Sequence, residues 1–375
     1  MSDLEILDRL LNGYDRRMTP SDKQGTPTLV SCEIYIRSFG SINPMTMDYQ
    51  VDLYLRQSWT DLRFQSEYLT HALDLNDANL VKKIWKPEVF FANAKHADFQ
   101  YVTVPNVLIR IEPDGHILYM LRLKLTFACM MDLYKYPLDS QLCTMEIASF
   151  SKTTKELELL WVINEPIKMT DGLKLPQFEI ENAIASKCNA TFHIGEYSCL
   201  VAQFYLKRSI GFHLVQSYLP TILIVVISWV SFWLDVEAIP ARITLGVTTL
   251  LTISSKGSGI QANLPQVSYV KAMDVWMGVC TIFVFAALLE FTFVNYTWRK
   301  LSREKRNILR SLCGSKDDDD EVIKRAEKFD QSAIKDNQQV VKNKLRASRI
   351  DRICRVGFPV GYLIFNFFYW PYYLL

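Results

Sequence analysis

The sequence predicts an all-β, immunoglobulin-like sandwich followed by a bundle of four membrane-spanning helices. Three observations carry that prediction. Apolar runs long enough to cross a bilayer cluster after about residue 212, whereas the earlier part alternates polar and apolar residues as a soluble β-protein does. The cysteines include two closely spaced couples, Cys129 with Cys143 and Cys188 with Cys199, both ahead of the first apolar run, which suits an oxidising extracellular setting. Basic residues gather between the third and fourth apolar runs, which makes that connection cytoplasmic.

The β half reads as many short strands separated by turn residues. In 33–39, Ile34 and Ile36 fall on one face while Tyr35, Arg37 and Phe39 fall on the other. In 48–59, Val51, Leu53 and Leu55 fall on one face while Asp52, Tyr54 and Arg56 fall on the other. Period two with one apolar face predicts half-buried strands. Asn189-Ala190-Thr191 is a glycosylation sequon in the same half. Residues 2–11 read as a short amphipathic helix without the charged start and apolar core of a secretory leader, so the numbering is expected to follow leader removal. Cys32, Cys280, Cys313 and Cys354 are expected as unpaired thiols, because no histidine cluster accompanies them.

Four apolar segments follow, at 212–234, 243–262, 275–296 and 353–375, each about long enough for a ~30 Å hydrocarbon layer. Arg299, Lys300, Arg303, Lys305 and Arg306 follow the third; Lys342, Lys344, Arg346, Arg349 and Arg352 precede the fourth. Four spans then leave both the sandwich and the C-terminus outside, with Tyr369, Trp370, Tyr372 and Tyr373 at the outer headgroup layer. In the cytoplasmic connection, Asp317 to Asp320 suit a helix start, and Val322, Ala326, Phe329 and Ala333 recur at helical spacing. The expected division is therefore 1–211 extracellular, 212–297 the first three spans, 298–350 the cytoplasmic loop with its amphipathic helix, and 351–375 the fourth span. A net charge of +2 without a basic stripe argues against nucleic-acid binding. With five scattered histidines and no phosphate loop or nucleophile elbow, the sequence points to no enzyme, cofactor or metal site.

Cys129, then Tyr136-Pro137-Leu138-Asp139, then Cys143 resembles the signature loop of the Cys-loop receptors, the pentameric ligand-gated ion channels. Trp59, the Trp85-Lys86-Pro87-Glu88 run, Gly172-Leu173 with Leu175-Pro176, and Pro240-Ala241-Arg242 stand in family order, so the resemblance covers nearly the whole chain. Glu88 departs from the usual aspartate but keeps the carboxylate. The anion-selective branch is the nearest in look, with glycine receptors and invertebrate glutamate-gated or pH-gated chloride channels. The resemblance implies two disulfides, Cys129 to Cys143 and Cys188 to Cys199, and a homo- or hetero-pentamer in the plasma membrane, with a glycan at Asn189. A subunit that does not conduct alone is the third reading.

Thr244, Thr248, Leu251, Ser255, Ser258 and Ala262 recur at spacings of four and three, so they share one helical stripe. Such hydroxyls suit either helix packing or an ion path; the resemblance makes the stripe a pore, with Leu251 a gating ring. At the inner mouth, where cation channels of the family carry a carboxylate ring, this chain has Ala241 beside Pro240. Arg242 is expected to add positive field there and favour chloride.

The resemblance places the agonist at subunit interfaces. Phe90 and Phe91, Phe150, and Phe192 with Tyr197 match the aromatic principal face, although strand packing would equally explain Phe90 and Phe91. Arg37, Tyr54 and Arg56 form the complementary face, where two guanidinium groups suit a carboxylate ligand; either arginine could instead make a structural ion pair. Met120 and Ile194 stand where the family carries hydroxyls, so alkaline pH is the alternative stimulus to glutamate or glycine, with Lys256 and Lys271 as titrating candidates. Histamine is a further candidate. Coupling is expected where the Cys129 to Cys143 loop and Arg208 meet the 264–271 connection and its Lys271.

Overall fold

The computed structural model describes the backbone of residues 3–22, 25–192, 195–235, 238–312 and 319–374. Side chains are described within those ranges except at 3–4, 189–190, 192, 297–344 and 347. Cys313, Ile194, the side chains of Asn189 and Phe192, and the helical face through Val322 and Phe329 therefore lie outside the described residues. The chain divides into two units, one of Met1–Asp132 with Asp139–Ser209, the other of Leu133–Leu138 with Ile210–Leu375.

The first unit begins with α1 (Asp3–Leu11) and continues as strands β1 (Thr28–Asn43), β2 (Asp48–Thr60) and β3 (Leu73–Leu75), then α2 (Ala78–Val81). Nine further strands follow: β4 (Val89–Phe91), β5 (Ala94–Phe99), β6 (Val107–Ile111), β7 (His116–Ala128), β8 (Ser140–Ser149), β9 (Leu157–Trp161), β10 (Ile167–Met169), β11 (Phe178–Phe192) and β12 (Gly195–Arg208). An eight-stranded sheet has the order β10-β1-β2-β7-β6-β3, with β5 on β7 and β9 on β1; a four-stranded sheet has the order β11-β12-β8-β4. Both inner faces are apolar. On β2, Val51, Leu53 and Leu55 are buried and Asp52, Tyr54 and Arg56 half-buried, the alternation that the sequence predicts. Both expected disulfides are present, Cys129 to Cys143 and Cys188 to Cys199, the second joining residues opposite one another on β11 and β12.

Strand β1 departs from its expected pattern. Its register against β2 shifts between Ile36 and Ser38, so Arg37 is the extra residue of a bulge and lies exposed. One inserted residue reverses the face of everything after it. Phe39 is consequently buried, not on the polar face with Tyr35, and meets Phe204 edge-on at 5.3 Å.

The second unit is a helical bundle of α3 (Gly211–His213), α4 (Leu219–Trp229), α5 (Ile239–Gln261), α6 (Ala272–Leu312) and α7 (Asp319–Leu374). A π-helical turn at Leu214–Tyr218 joins α3 to α4. Gly211–Trp233 and Ala272–Tyr296 are long and apolar enough to cross a membrane. The expected second and fourth spans are helical too, but less apolar: α5 carries seven Ser and Thr and three Gly, and the end of α7 is rich in Tyr. Trp276 anchors the bundle. It is fully buried among Tyr218 and Tyr369, at 4.9 and 5.1 Å between ring centroids, and its indole N–H donates to Thr221 Oγ1 at 2.9 Å.

Candidate functional site

The pore candidate is α5. It is 23 residues long, ~34 Å at 1.5 Å per residue. Pro240 lies in its first turn, where a missing N–H costs no helical bond. One side of α5 is fastened to its own bundle: Thr249 and Ile253 are buried, and Gly246 packs closely on α6, where an added Cβ would displace the tip of Leu288. Thr244, Thr248, Leu251, Ser255, Ser258 and Ala262 are all exposed, as are Pro240 and Ala241. Leu251 is the large apolar member of that stripe, 66% exposed. The hydroxyls of Thr244, Thr248 and Ser255 donate to the carbonyls of Pro240, Thr244 and Leu251 at 2.8, 2.6 and 2.9 Å. Each hydroxyl must turn away from the helix before it can donate to an anion.

The second candidate is the outer face of β1, β2 and β7. Tyr35 and Tyr54 oppose one another across β1 and β2, their rings 6.2 Å apart. A guanidinium flanks each ring: Arg56 lies 6.0 Å from the Tyr35 centroid and Arg122 5.9 Å from that of Tyr54. Arg56 is ion-paired to Glu33 at 3.1 Å, and Lys168 reaches the same carboxylate at 3.0 Å. Arg122 binds Asp52 through both Nε and an Nη. Met120 stands directly across from Arg56 on β7 and presents a thioether there.

The comparisons with known families then decide what carries these two sites. Residues 3–215 match the neurotransmitter-gated ion-channel ligand-binding domain, and residues 217–314 match the transmembrane region of the same channels. The chain belongs to the Cys-loop receptors. It is accordingly a subunit of a pentameric neurotransmitter-gated ion channel, a membrane protein with an extracellular ligand-binding domain and no enzyme.

Within this Cys-loop receptor subunit the expected agonist residues are distributed unevenly. Arg37 lies four residues beyond Glu33, roughly 13 Å along β1 at ~3.3 Å per residue. Arg37 and Arg56 are therefore not opposite one another across β1 and β2. Phe150 is 71% exposed and stands edge-on to Phe90 at 5.5 Å, whereas Phe91 turns inward onto Phe127. Tyr197 is buried on β12, and Phe192 ends β11.

The expectation for Arg242 is overturned. Its guanidinium is buried, ion-paired to Asp351 of α7 at 2.9 Å and hydrogen-bonded to the Leu234 carbonyl. The reason is position on the helix: Arg242 follows Ala241 by about 100° and so points into the bundle, not the mouth. Its charge is balanced there, within the subunit, by Asp351.

The coupling residues also have internal partners. Arg208 is buried with Asp139, Nε and Nη2 at 2.7 and 2.9 Å from the two carboxylate oxygens, and its guanidinium covers Phe178 at 4.4 Å. Leu133–Leu138, the tip of the Cys129 to Cys143 loop, belongs to the second unit. There the N–H groups of Ala272 and Met273 donate to the carbonyls of Tyr134 and Tyr136 at 2.9 and 3.1 Å. Lys271 is buried against Asp274 at 3.2 Å, and Lys256 is exposed on α5. Sequence reasoning missed Arg122, Lys168 and Asp351. Arg122 was within reach, since it shares strand parity with Met120; the other two depend on long-range packing.

Proposed function

We propose that this receptor conducts chloride and opens on binding a small amino-acid carboxylate, such as glutamate or glycine, at the extracellular interfaces of a homo- or hetero-pentamer in the plasma membrane. The start of α5 carries the anion reading. Its first turn holds no acidic residue, and Pro240 and Ala241 lie exposed at the end where the helix dipole is positive. Five such termini around one axis make a mouth that favours anions without help from Arg242. Under voltage clamp, the current should reverse near the chloride equilibrium potential and follow it when external chloride is replaced by gluconate. Ala241→Glu with Pro240 deleted should shift reversal towards cations. A wild-type reversal at the sodium potential overturns the reading.

Arg56 supports the ligand class. It is part-exposed over an aromatic ring and close to a second cation, Lys168, a setting that can exchange Glu33 for a ligand carboxylate. A dicarboxylate amino acid can extend from Arg56 towards Arg37, whereas glycine can reach only one. One observation favours a second reading, opening by alkaline pH: Met120 faces Arg56 where a hydroxyl is expected. Applying glutamate, glycine, histamine and a pH series to cells expressing this chain alone separates the two. Opening by alkali with no amino acid, retained in Arg56→Ala because arginine does not titrate in that range, supports the second. Silence alone, with altered currents from a co-expressed relative, identifies an auxiliary subunit.

A further inference from the structure

The charges of α5 are unevenly balanced. The helix carries two charged side chains, Arg242 near its inner end and Lys256 in its outer half, and no acid. Arg242 is balanced within the bundle by Asp351. Lys256 is exposed and has no carboxylate partner among the described residues. Asp274, the acid at the start of α6, is already held by Lys271 at 3.2 Å and by the Gln261 amide. The pore candidate is therefore left with one unpaired charge, and that charge is positive.

An ionisable group within a membrane span is costly to leave in hydrocarbon, so it faces either the bundle interior or water. Exposure rules out the first for Lys256, and its place on the helix favours the second. Lys256 is five residues beyond Leu251, ~7.5 Å along the axis at 1.5 Å per residue. Thr252, Lys256, Gly259 and Asn263 recur at spacings of four, three and four, and all are exposed. They form a second stripe, about a quarter-turn round from the one through Thr244 and Ser255. At Gly259 an added Cβ would meet open space, so nothing in the subunit covers that stripe there. The opposite flank of α5 exposes Val247, Ser254 and Gln261. In a ring of five α5 helices the second stripe of each copy meets that flank of the next. The ammonium finds a hydroxyl and an amide there, and no acid.

We propose that five Lys256 side chains form a cationic ring on the outer side of Leu251, which draws chloride into the outer half of the pore and sets how fast it is conducted. This rests on the chloride reading of α5. The long apolar stem of lysine lies along the helix flank and carries the ammonium to the water of the ion path. Five like charges between low-dielectric walls focus their field into that path and raise the local anion concentration. The ring and the inner mouth divide the work. The mouth at Pro240 and Ala241 discriminates by a helix dipole and a lack of acids, whereas Lys256 supplies full charges farther out. Conductance should therefore depend on Lys256 more than selectivity does.

The test is single-channel recording from cells expressing the full-length chain alone, with openings evoked by glutamate, glycine or raised pH, or arising spontaneously. Unitary amplitude is compared at one pH, since at fixed pH it does not depend on what opens the channel. Lys256→Gln should lower the unitary chloride current about threefold at low ionic strength, and less in concentrated chloride, where counter-ions screen the ring. The loss should be larger for chloride entering from outside, and the reversal potential should stay at that of chloride. Lys256→Arg should keep the wild-type amplitude. On Lys256→Cys, a thiol reagent that adds an ammonium group should restore the current, and one that adds a sulfonate should lower it further, relative to the wild type treated alike. Reversal at the chloride potential with wild-type amplitude in Lys256→Gln, or equal effects of the two reagents, overturns the ring and leaves the chloride reading standing. A wild-type reversal at the sodium potential overturns both, as does a chain at the cell surface that passes no current. Should Lys256→Gln not reach the surface, the two reagents on Lys256→Cys decide alone.

Discussion

Each unit holds an arginine bound to a carboxylate, and the two pairs sit in opposite surroundings. In the extracellular unit, the Arg56 side chain is 35% exposed beside Glu33, and Lys168 shares the carboxylate. In the membrane unit, the Arg242 side chain is 0% exposed beside Asp351. A surface pair contributes about 0–1 kcal/mol, and this half-buried pair lies nearer that limit than the buried one, so an incoming carboxylate can displace its acid at modest cost. A buried pair is a different object: losing one partner strands a charge in low dielectric, at ~3–5 kcal/mol. Solvent access thus separates an arginine that can recognise a ligand from one that fastens two helices together.

The largest expected effect tests the buried pair. Asp351→Ala should destabilise the subunit by ~3–5 kcal/mol, read as loss of surface expression and a lower unfolding temperature in detergent. Combining Arg242→Met with Asp351→Leu should recover most of that loss, because neither partner of the pair is then left behind without the other. Currents from the double variant should still reverse at the chloride potential. A shift towards cations would return Arg242 to the ion path and break the contrast.

The exposed pair gives the next effect. If a carboxylate agonist opens the channel, Arg56→Ala should weaken it by ~2 kcal/mol, since truncating one partner of a desolvated ion pair costs about that much. Subunit stability should hardly change, in contrast to Asp351→Ala. Arg37→Ala should match the agonist loss only for a dicarboxylate. Concentration-response curves for glutamate and glycine, with surface expression measured in parallel, check both statements.

What could be read in the sequence follows the range of the interactions concerned. The β2 alternation is a local periodicity, so Val51, Leu53 and Leu55 fall where the pattern puts them, while the α5 residues Thr244 through Ala262 of the stripe lie exposed along one regular helix. Phe39 does not, because parity cannot reveal an inserted residue at Arg37. Arg242 stood in a recognisable motif, but its partner Asp351 is 109 residues away in sequence and no local pattern joins them. Family motifs identified the residue while leaving its direction open. Direction came from packing.

A third prediction contrasts two faces of α5. Arg242 is held by the bundle, whereas Leu251 is turned out on the exposed stripe. Leu251→Thr replaces an apolar ring by a hydroxyl ring, which eases wetting of the constriction. The open-to-closed ratio should rise about tenfold, ~1.4 kcal/mol, seen as resting leak and a left-shifted response. An unchanged leak and response would remove Leu251 from the gate.

The smallest effect decides whether Glu33 competes with the ligand or holds Arg56 ready for it. Glu33→Gln removes the charge and keeps a hydrogen-bonding oxygen of similar reach. As a competitor, Glu33 lowers affinity by about the worth of an exposed pair, so its loss should strengthen a carboxylate agonist by up to ~1 kcal/mol. As a positioning group, it keeps the guanidinium over Tyr35, and its loss should weaken the agonist and slow opening. Lys168 decides the sign expected here. It shares the Glu33 carboxylate, so neutralising Glu33 releases two cations towards the site and raises the local positive potential. Tighter agonism, with a steeper dependence on ionic strength than the wild type, is therefore the expected result. Weaker agonism with unchanged salt dependence would make the exposed pair, like the buried one, a structural fixture.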